Sequence, residues 1–265
     1  MKKISAVLIS FNEEEKIERA LSSLQGIADE IVVVDSHSTD RTAEICGRFT
    51  DRVIPRDWPG YREQKQFATA QASHSWVLSL DCDEQISSEL QQELMDWKAT
   101  PEGPQRGYLV PRMTRFMGRW IRHTTWYPDY QMRLFRADSG SWQGGRVHES
   151  FRLGQGLPSG RLQGHILHYT YSDLSEYLGQ LDRFSSLAAA DYLEGGKRVG
   201  GLRLVLTPPL VFIKNYLIRR GFLDGRAGLA VSALSAVSVL FKHLKLWELQ
   251  RRASSPDQQP PEPSP

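Results

Sequence analysis

Two patterns alternate along the first hundred residues. Short apolar runs bounded by polar residues are followed by stretches in which apolar residues recur at helical spacing. Ile4–Ile9 reads as a first buried strand, and Ile17, Ala20, Leu21 and Leu24 then mark one face of a helix. Asn12, with Glu15 three residues later, has the form of a helix N-cap and its reciprocal partner. Glu30–Asp35 reads as a second strand. Ser38-Thr39-Asp40 opens a second helix with Ala43, Ile45, Cys46 and Phe49 on its apolar face. Arg52–Ile54 is a short third strand. A helix carrying Gln64, Lys65, Phe67 and Ala68 leads into a fourth, in the run Trp76–Leu80, and Leu90, Leu94 and Trp97 mark the next helix. Strand and helix at this pace predict an α/β fold with a parallel sheet and right-handed crossovers.

Beyond Pro101-Glu102-Gly103-Pro104 the pattern shifts to strand-like pieces at Gly107–Pro111, Gln131–Arg136, Val147–Phe151 and His165–Tyr169. Helical spacing returns near Asp173, with Leu174, Tyr177, Leu178, Leu181 and Phe184 on one face. Two apolar-basic segments follow, Leu202–Arg220 and Ala227–Gln250, and Pro208-Pro209 is expected to break or kink the first. The predicted organisation is an α/β domain over residues 1–172, a helical basic extension over 173–252 and a Pro/Ser/Gln-rich disordered tail over 253–265.

Charge sharpens this division. The chain of 265 residues carries a net charge of +2, but Lys197–Arg252 alone holds 11 Lys/Arg against 2 Asp/Glu, leaving −7 for the rest. A basic segment rich in Leu, Val, Phe and Trp suits an anionic membrane surface better than nucleic acid, for which no zinc finger, RNA-recognition signature or basic zipper is present. The alternative is that these helices pack on the domain or form a dimer. No run of roughly 18 uninterrupted apolar residues predicts a membrane span, and no signal peptide is visible after Lys2-Lys3. The two cysteines, Cys46 and Cys82, lie in no Cys/His cluster that would read as a zinc site.

Polar and acidic residues recur at successive strand ends: Ser10 and Asn12, then Asp35, then Asp81 and Asp83. The carboxyl ends of strands are where open α/β sheets place ligands. In an extended chain Asp81 and Asp83 would face the same side, and two like charges that close call for a cation. The bland alternative is an acidic first turn of the following helix. No Gly-rich phosphate loop follows the first strand, which argues against a dinucleotide fold or a P-loop. Each other candidate has a bland reading too. Asp35 would cap the next helix, Lys65 would be a solvated helix charge, and Glu149 would pair with Arg146 or Arg152. His148 and His168 would be structural histidines, and Trp126-Tyr127 would be core rather than a sugar platform.

The segments Val7-Leu8-Ile9-Ser10-Phe11-Asn12-Glu13-Glu14, Val34-Asp35-Ser36 with Ser38-Thr39-Asp40, and Asp81-Cys82-Asp83 resemble the family-2 inverting glycosyltransferases of GT-A fold. More narrowly, Gln64-Lys65, Pro128-Asp129 with Gln131 and Arg133-Leu134-Phe135-Arg136, Val147-His148-Glu149 and Gly221-Phe222-Leu223-Asp224-Gly225 resemble bacterial glucosyltransferases acting on a heptose of the lipopolysaccharide inner core. The resemblance implies a Rossmann-like, mostly parallel sheet flanked by helices. It also implies a UDP-sugar donor, a lipid-anchored heptose acceptor, and Mg²⁺ or Mn²⁺. Ser10, Asn12, Glu13, Asp35, Lys65, Asp81 and Arg133 would then bind the nucleotide-sugar, with Asp83 and His168 on the metal. Glu149 would be the catalytic base, with Asp129 in reserve. The implied location is the cytoplasmic face of the bacterial inner membrane, held peripherally. A polyprenyl-phosphate or other surface-polysaccharide transferase and a sugar-phosphate nucleotidyltransferase are the alternatives.

Overall fold

The computed structural model describes residues 1–144, 149–171 and 173–254, and the predicted His148 and the tail beyond Ser254 lie outside them. The chain divides into two compact units, Met1–Ser172 and Asp173–Pro265.

The first unit begins as its hydrophobic pattern predicts. β1 (Ile4–Ser10) leads through a loop to α1 (Ile17–Leu24), then β2 (Glu30–Asp35), α2 (Thr42–Gly47), β3 (Val53–Pro55), α3 (Tyr61–Ala70) and β4 (Trp76–Ser79). These apolar runs are long because the strands are covered on both faces. Ile4, Leu8, Leu78 and Leu134 pack with α1 and the next helix on one side, while Val7, Val32, Val77 and Phe135 form a second apolar layer on the other. Asn12 caps no helix: its backbone is left-handed, at φ 54°, and α1 starts only at Ile17. Its side-chain Oδ1 instead accepts from the backbone N–H of Thr39 at 2.8 Å, so the loops after β1 and β2 are stitched together.

The carboxylates after β4 do not open a helix. A three-residue strand, β5 (Glu84–Ile86), comes first, and α4 (Ser88–Ala99) follows with Ser87 as its cap, the Ser87 hydroxyl accepting from Leu90 N. The second half supplies β6 (Gly107–Phe116), β7 (Arg119–Trp120), β8 (Asp129–Arg136), β9 (Gly140–Gln143), β10 (Ser150–Leu153), β11 (Ser159–Arg161) and β12 (Ile166–His168). Among the described residues one sheet runs β3-β2-β1-β4-β8-β6-β12-β5, with β7 and β11 joined to β6, while β9 and β10 form a separate pair.

The sheet is parallel as far as β4 and mixed beyond it, because β8 enters antiparallel between β4 and β6 and β5 pairs antiparallel with β12. This order gathers the carboxyl ends of β1, β2, β4, β6 and β12 and the amino ends of β5 and β8 along one edge. Every sequence-predicted site residue of the first unit that the structure describes lies on or beside that edge, or on α3 and the loop before β10.

The second unit consists of α5 (Leu174–Glu194), α6 (Gly201–Ile213) and α7 (Gly225–Ser254), with a wider helical turn over Lys214–Ile218. α7 packs against both α5 and α6. α6 runs through Pro208 and Pro209 rather than breaking there. The prolines leave the carbonyls of Leu204 and Val205 without their helical donors, and the contact with α7 holds the segment helical nonetheless. None of the thirteen residues of α6 is buried within the unit. Two segments are long and apolar enough to cross a membrane by length and composition: Gly201–Ile218, of mean hydropathy 1.2, and Gly221–Ala253, which contains an 18-residue stretch of mean hydropathy 1.5. The expectation of no such segment counted unbroken apolar runs, whereas scattered polar residues leave the mean high.

Candidate active site

The three loops after β1, β2 and β4 are tied to one another by side chains. Asp35 ends β2 level with Ser10 in the sheet register. Its buried carboxylate accepts from the Ser10 hydroxyl at 2.8 Å, from the Ser38 hydroxyl at 2.6 Å and from the Ser38 backbone N–H at 2.8 Å. Asp35 thus orders the turn that follows β2. Glu13 N–H donates to the Thr42 hydroxyl at 2.8 Å, and the Cys82 thiol lies 3.0 Å from the Ile9 carbonyl. Burial pushes the Cys82 thiol up, well above the ordinary thiol range, so it stays protonated. Beside this corner Gln64 is fully buried on α3: its amide nitrogen donates to the Ser36 hydroxyl at 3.0 Å, and its Oε1 has no partner among the described residues.

The chain is not extended from Asp81 to Asp83 but turns between them, and the two carboxylates take different partners. Glu84 N–H donates to the Asp81 carbonyl at 3.0 Å, which closes the turn. The cations near Asp81 are the protein's own. Lys65 Nζ lies 2.9 Å from Asp81 Oδ1 and Arg133 Nη2 lies 2.7 Å from Oδ2. Lys65 also reaches Glu149 Oε1 at 2.8 Å, so it is a buried bridging cation and not a solvated helix charge. Arg133 also holds Glu84 at 2.6 Å; Glu84 holds Arg112 at 3.2 Å, and Arg112 holds Asp129 at 2.7 Å.

The result is one chain of alternating charge: Glu149, Lys65, Asp81, Arg133, Glu84, Arg112, Asp129. The two residues considered as catalytic base stand at its two ends. Among the described residues Glu149 pairs with Lys65, from a helix 84 residues earlier, while Arg146 lies outside them. Within this chain burial alone would raise the Asp81 carboxyl, but Arg133 and Lys65 outweigh it and hold it well below the usual carboxylate range. Burial works against the Lys65 ammonium as well, yet Asp81 and Glu149 shift it upward on balance. Both ends of the pair therefore stay charged.

Asp83 lies outside that chain. Its Oδ2 is 3.2 Å from His168 Nε2, and the other imidazole nitrogen, Nδ1, is 3.3 Å from the Thr114 hydroxyl on β6. Burial would raise the Asp83 carboxyl; His168 reverses this and lowers it. The Asp83 carbonyl accepts from Tyr169 N–H at 2.8 Å, so both residues of the pair sit on paired backbone. Trp126 packs edge-on to Phe116, and the Tyr127 hydroxyl is 2.8 Å from His165 Nε2, with both aromatics half-buried.

Glu84, Arg112 and Thr114 are site residues that the sequence pattern did not single out. Glu84 directly follows Asp83, and its place just ahead of a helix disguises it. Arg112 had one signal, a lone charge in the run Tyr108–Met113 of β6.

The family model described as Glycosyl transferase family 2 matches residues 5–149. An uncharacterised glycosyltransferase of Rickettsia prowazekii (strain Madrid E) is 30% identical over 264 residues, covering 96% of this chain and 90% of the relative. The lipopolysaccharide core biosynthesis glycosyltransferase LpsC of Rhizobium meliloti (strain 1021) is 29% identical over 253 residues, covering 91% of this chain and 93% of its own. The crystal structure of S. aureus TarS 1–349 in complex with UDP-GlcNAc aligns at a TM-score of 0.48 and 14% identity, over 97% of this chain and 93% of that one. The mixed sheet flanked by helices is the GT-A fold implied by the strand-end motifs. With more than half its length matched by the family model and a 30% identical relative spanning nearly all of it, the chain belongs to glycosyl transferase family 2.

Proposed function

We infer that this glycosyltransferase moves a hexose, glucose from UDP-glucose, with inversion onto a heptose of the lipopolysaccharide inner core. Family membership sets aside the nucleotidyltransferase alternative. The similarity to a lipopolysaccharide core biosynthesis enzyme over nearly the whole chain supports the acceptor class. The observation that carries the reading is the Asp83–His168 pair at the sheet edge, beside the Asp81–Asp35 side of the site.

That pair fits Mg²⁺ or Mn²⁺. It offers one carboxylate oxygen and one imidazole nitrogen, and among the described residues no group of three or more His, Cys, Asp or Glu would hold a metal unaided. Asp83 and His168 would hold the ion together with a phosphate substrate, as Mg²⁺ is commonly bound through one or two protein carboxylates plus substrate phosphates. When bound, the ion would neutralise the charge developing on the departing diphosphate. Asp35 and Asp81, with Ser10, Asn12 and Glu13 ordering the loops, would receive the nucleoside. Lys65 and Arg133 hold Asp81 ionised and placed, and they add positive charge next to the diphosphate position.

The base would be Glu149, with Asp129 the alternative. It would take the proton from the acceptor hydroxyl as that oxygen bonds to the anomeric carbon and the bond to UDP breaks. Lys65 fixes the position of the Glu149 carboxylate.

The second unit would dock on the anionic cytoplasmic face of the inner membrane, peripherally, as a lipid-anchored acceptor requires. Leu202, Val205, Leu210, Leu217 and Ile218 are 57–75% exposed beside the exposed Lys214, Arg219 and Arg220. This composition suits a helix lying in the headgroup region. Arg203 and Lys214 lie inside the 18-residue apolar window, where a crossing helix would carry them toward the hydrocarbon.

The test is transfer from UDP-glucose to a heptose-containing core acceptor, with the product linkage read by NMR. The reading predicts a glucosylated heptose of anomeric configuration opposite to the donor's. Retention of configuration, or turnover only with a different acceptor class, would refute it.

A further inference from the structure

We propose that Glu84 is the positioning residue of this site: it holds the Asp81–Asp83 turn in the shape that presents Asp83 to His168. The inference rests on the reading of Asp83 and His168 as donor-side ligands, and it adds the residue that sets their geometry.

Glu84 is a carboxylate with a fully buried side chain and three partners. Its Oε2 accepts from the Asp81 backbone N–H at 3.0 Å, and its Oε1 accepts from Arg133 Nη2 at 2.6 Å and Arg112 Nη1 at 3.2 Å. Its own N–H donates to the Asp81 carbonyl. Asp81 and Glu84 therefore exchange two hydrogen bonds around Cys82 and Asp83, so the turn that carries Asp83 is closed from both ends. Glu84 also grips Asp81 a second way, because the Arg133 nitrogen it holds is the one that holds Asp81 Oδ2.

Glu84 is also the first residue of β5, and its register partner on β12 is His168. The turn and the histidine are thus set by one residue: the side chain shapes the turn, and the backbone fixes the strand pair that brings His168 alongside.

A neutral acceptor would suffice to bind one backbone N–H. Burying a carboxylate is costly unless it is paired and hydrogen-bonded. Here the charge serves to hold two arginines beneath the turn. Partners of this kind, which orient the groups that contact a metal, typically change metal affinity by about 10–100-fold when removed.

The test uses the full chain and two variants, Glu84→Gln and the double variant Glu84→Gln/Arg112→Gln. The double variant removes one charge of each sign and so leaves no extra uncompensated cation in the interior. UDP affinity is measured by calorimetry with Mn²⁺ and with EDTA, and Tm is recorded for each protein. The expected result is a loss of about tenfold or more in the Mn²⁺-dependent gain in affinity, read as the ratio of UDP affinity with Mn²⁺ to that with EDTA. A purely scaffolding role would lower Tm and leave that ratio at the wild-type value in the folded protein.

The wild-type ratio in either folded variant overturns the proposal, and so does failure of both variants to fold. Wild-type protein that binds no UDP with Mn²⁺ overturns the donor-site reading, and the positioning role falls with it. Normal wild-type binding with unaffected variants overturns the positioning role alone.

Discussion

His168 Nε2 lies 3.2 Å from Asp83 Oδ2, although the two residues are 85 positions apart in the chain. The contact exists because β5 and β12 pair antiparallel at the end of the sheet, with His168 opposite Glu84. A metal shared with a diphosphate needs few protein donors, and on the proposed reading this pair would supply two where the turn after β4 meets the end of β12.

The base assignment separates by mutation. Glu149→Gln keeps the shape of the side chain and a hydrogen bond to Lys65, so donor binding should persist while transfer falls by roughly 10²–10⁴-fold. Asp129→Asn at the other end of the ion chain should have a much smaller effect. Steady-state kcat and donor KM for both variants check this. A near-normal rate in Glu149→Gln with a collapse in Asp129→Asn would move the base to Asp129.

Acid should weaken the fold in a defined window. Burial would raise the Glu30 carboxyl, but its hydrogen bonds to Ser5, Ser73 and Arg52 take it from 4.5 down to about 2. Asp81 is lowered in the same direction. Carboxyls with depressed folded values contribute fully above their unfolded pKa, and the contribution is lost as pH falls through the folded value. Denaturant midpoints should therefore be level near neutrality and drop from about pH 4.5 downward. Glu30→Gln should lower stability at pH 7 and flatten the slope between pH 4.5 and about 2. An unchanged slope would remove Glu30 from this account.

Membrane docking should depend on the basic residues after α6. Arg219→Gln/Arg220→Gln removes two charges, each worth about 1 kcal/mol near an anionic surface, so binding should weaken roughly 30-fold. Co-sedimentation with phosphatidylglycerol vesicles against phosphatidylcholine vesicles reads this. Equal binding to both vesicles, or a concentration-dependent dimer that masks the apolar face, would contradict it. Resistance to alkaline extraction would instead indicate a spanning helix.

Much of the first half was legible because its physics is local. β1, β2 and β4 are mainly apolar runs, and the helices between them show regular spacing, so strand ends and their acids could be located. Asn12 misled because a left-handed turn tied to Thr39 has the same residue preference as a helix cap. β5 was missed because Glu84-Gln85-Ile86 is too short to show alternation, and acids ahead of a helix mimic its first turn. The antiparallel entry of β8 carries no local signature. The ion chain joins residues from α3, the turn after β4, β6 and β8, and pairings across such distances leave no period in the sequence. Lys65 and Glu149 were each visible as charges; only the fold made them partners.

The most direct measurement is a donor screen on the purified full chain, monitoring nucleotide release from each common nucleotide-sugar with and without Mg²⁺ or Mn²⁺ and a heptose acceptor. The account predicts UDP release from UDP-glucose only when metal is present, lost in Asp83→Ala and in His168→Ala. No turnover of any UDP-sugar with metal and acceptor supplied, or metal-independent turnover that survives Asp83→Ala, would contradict it.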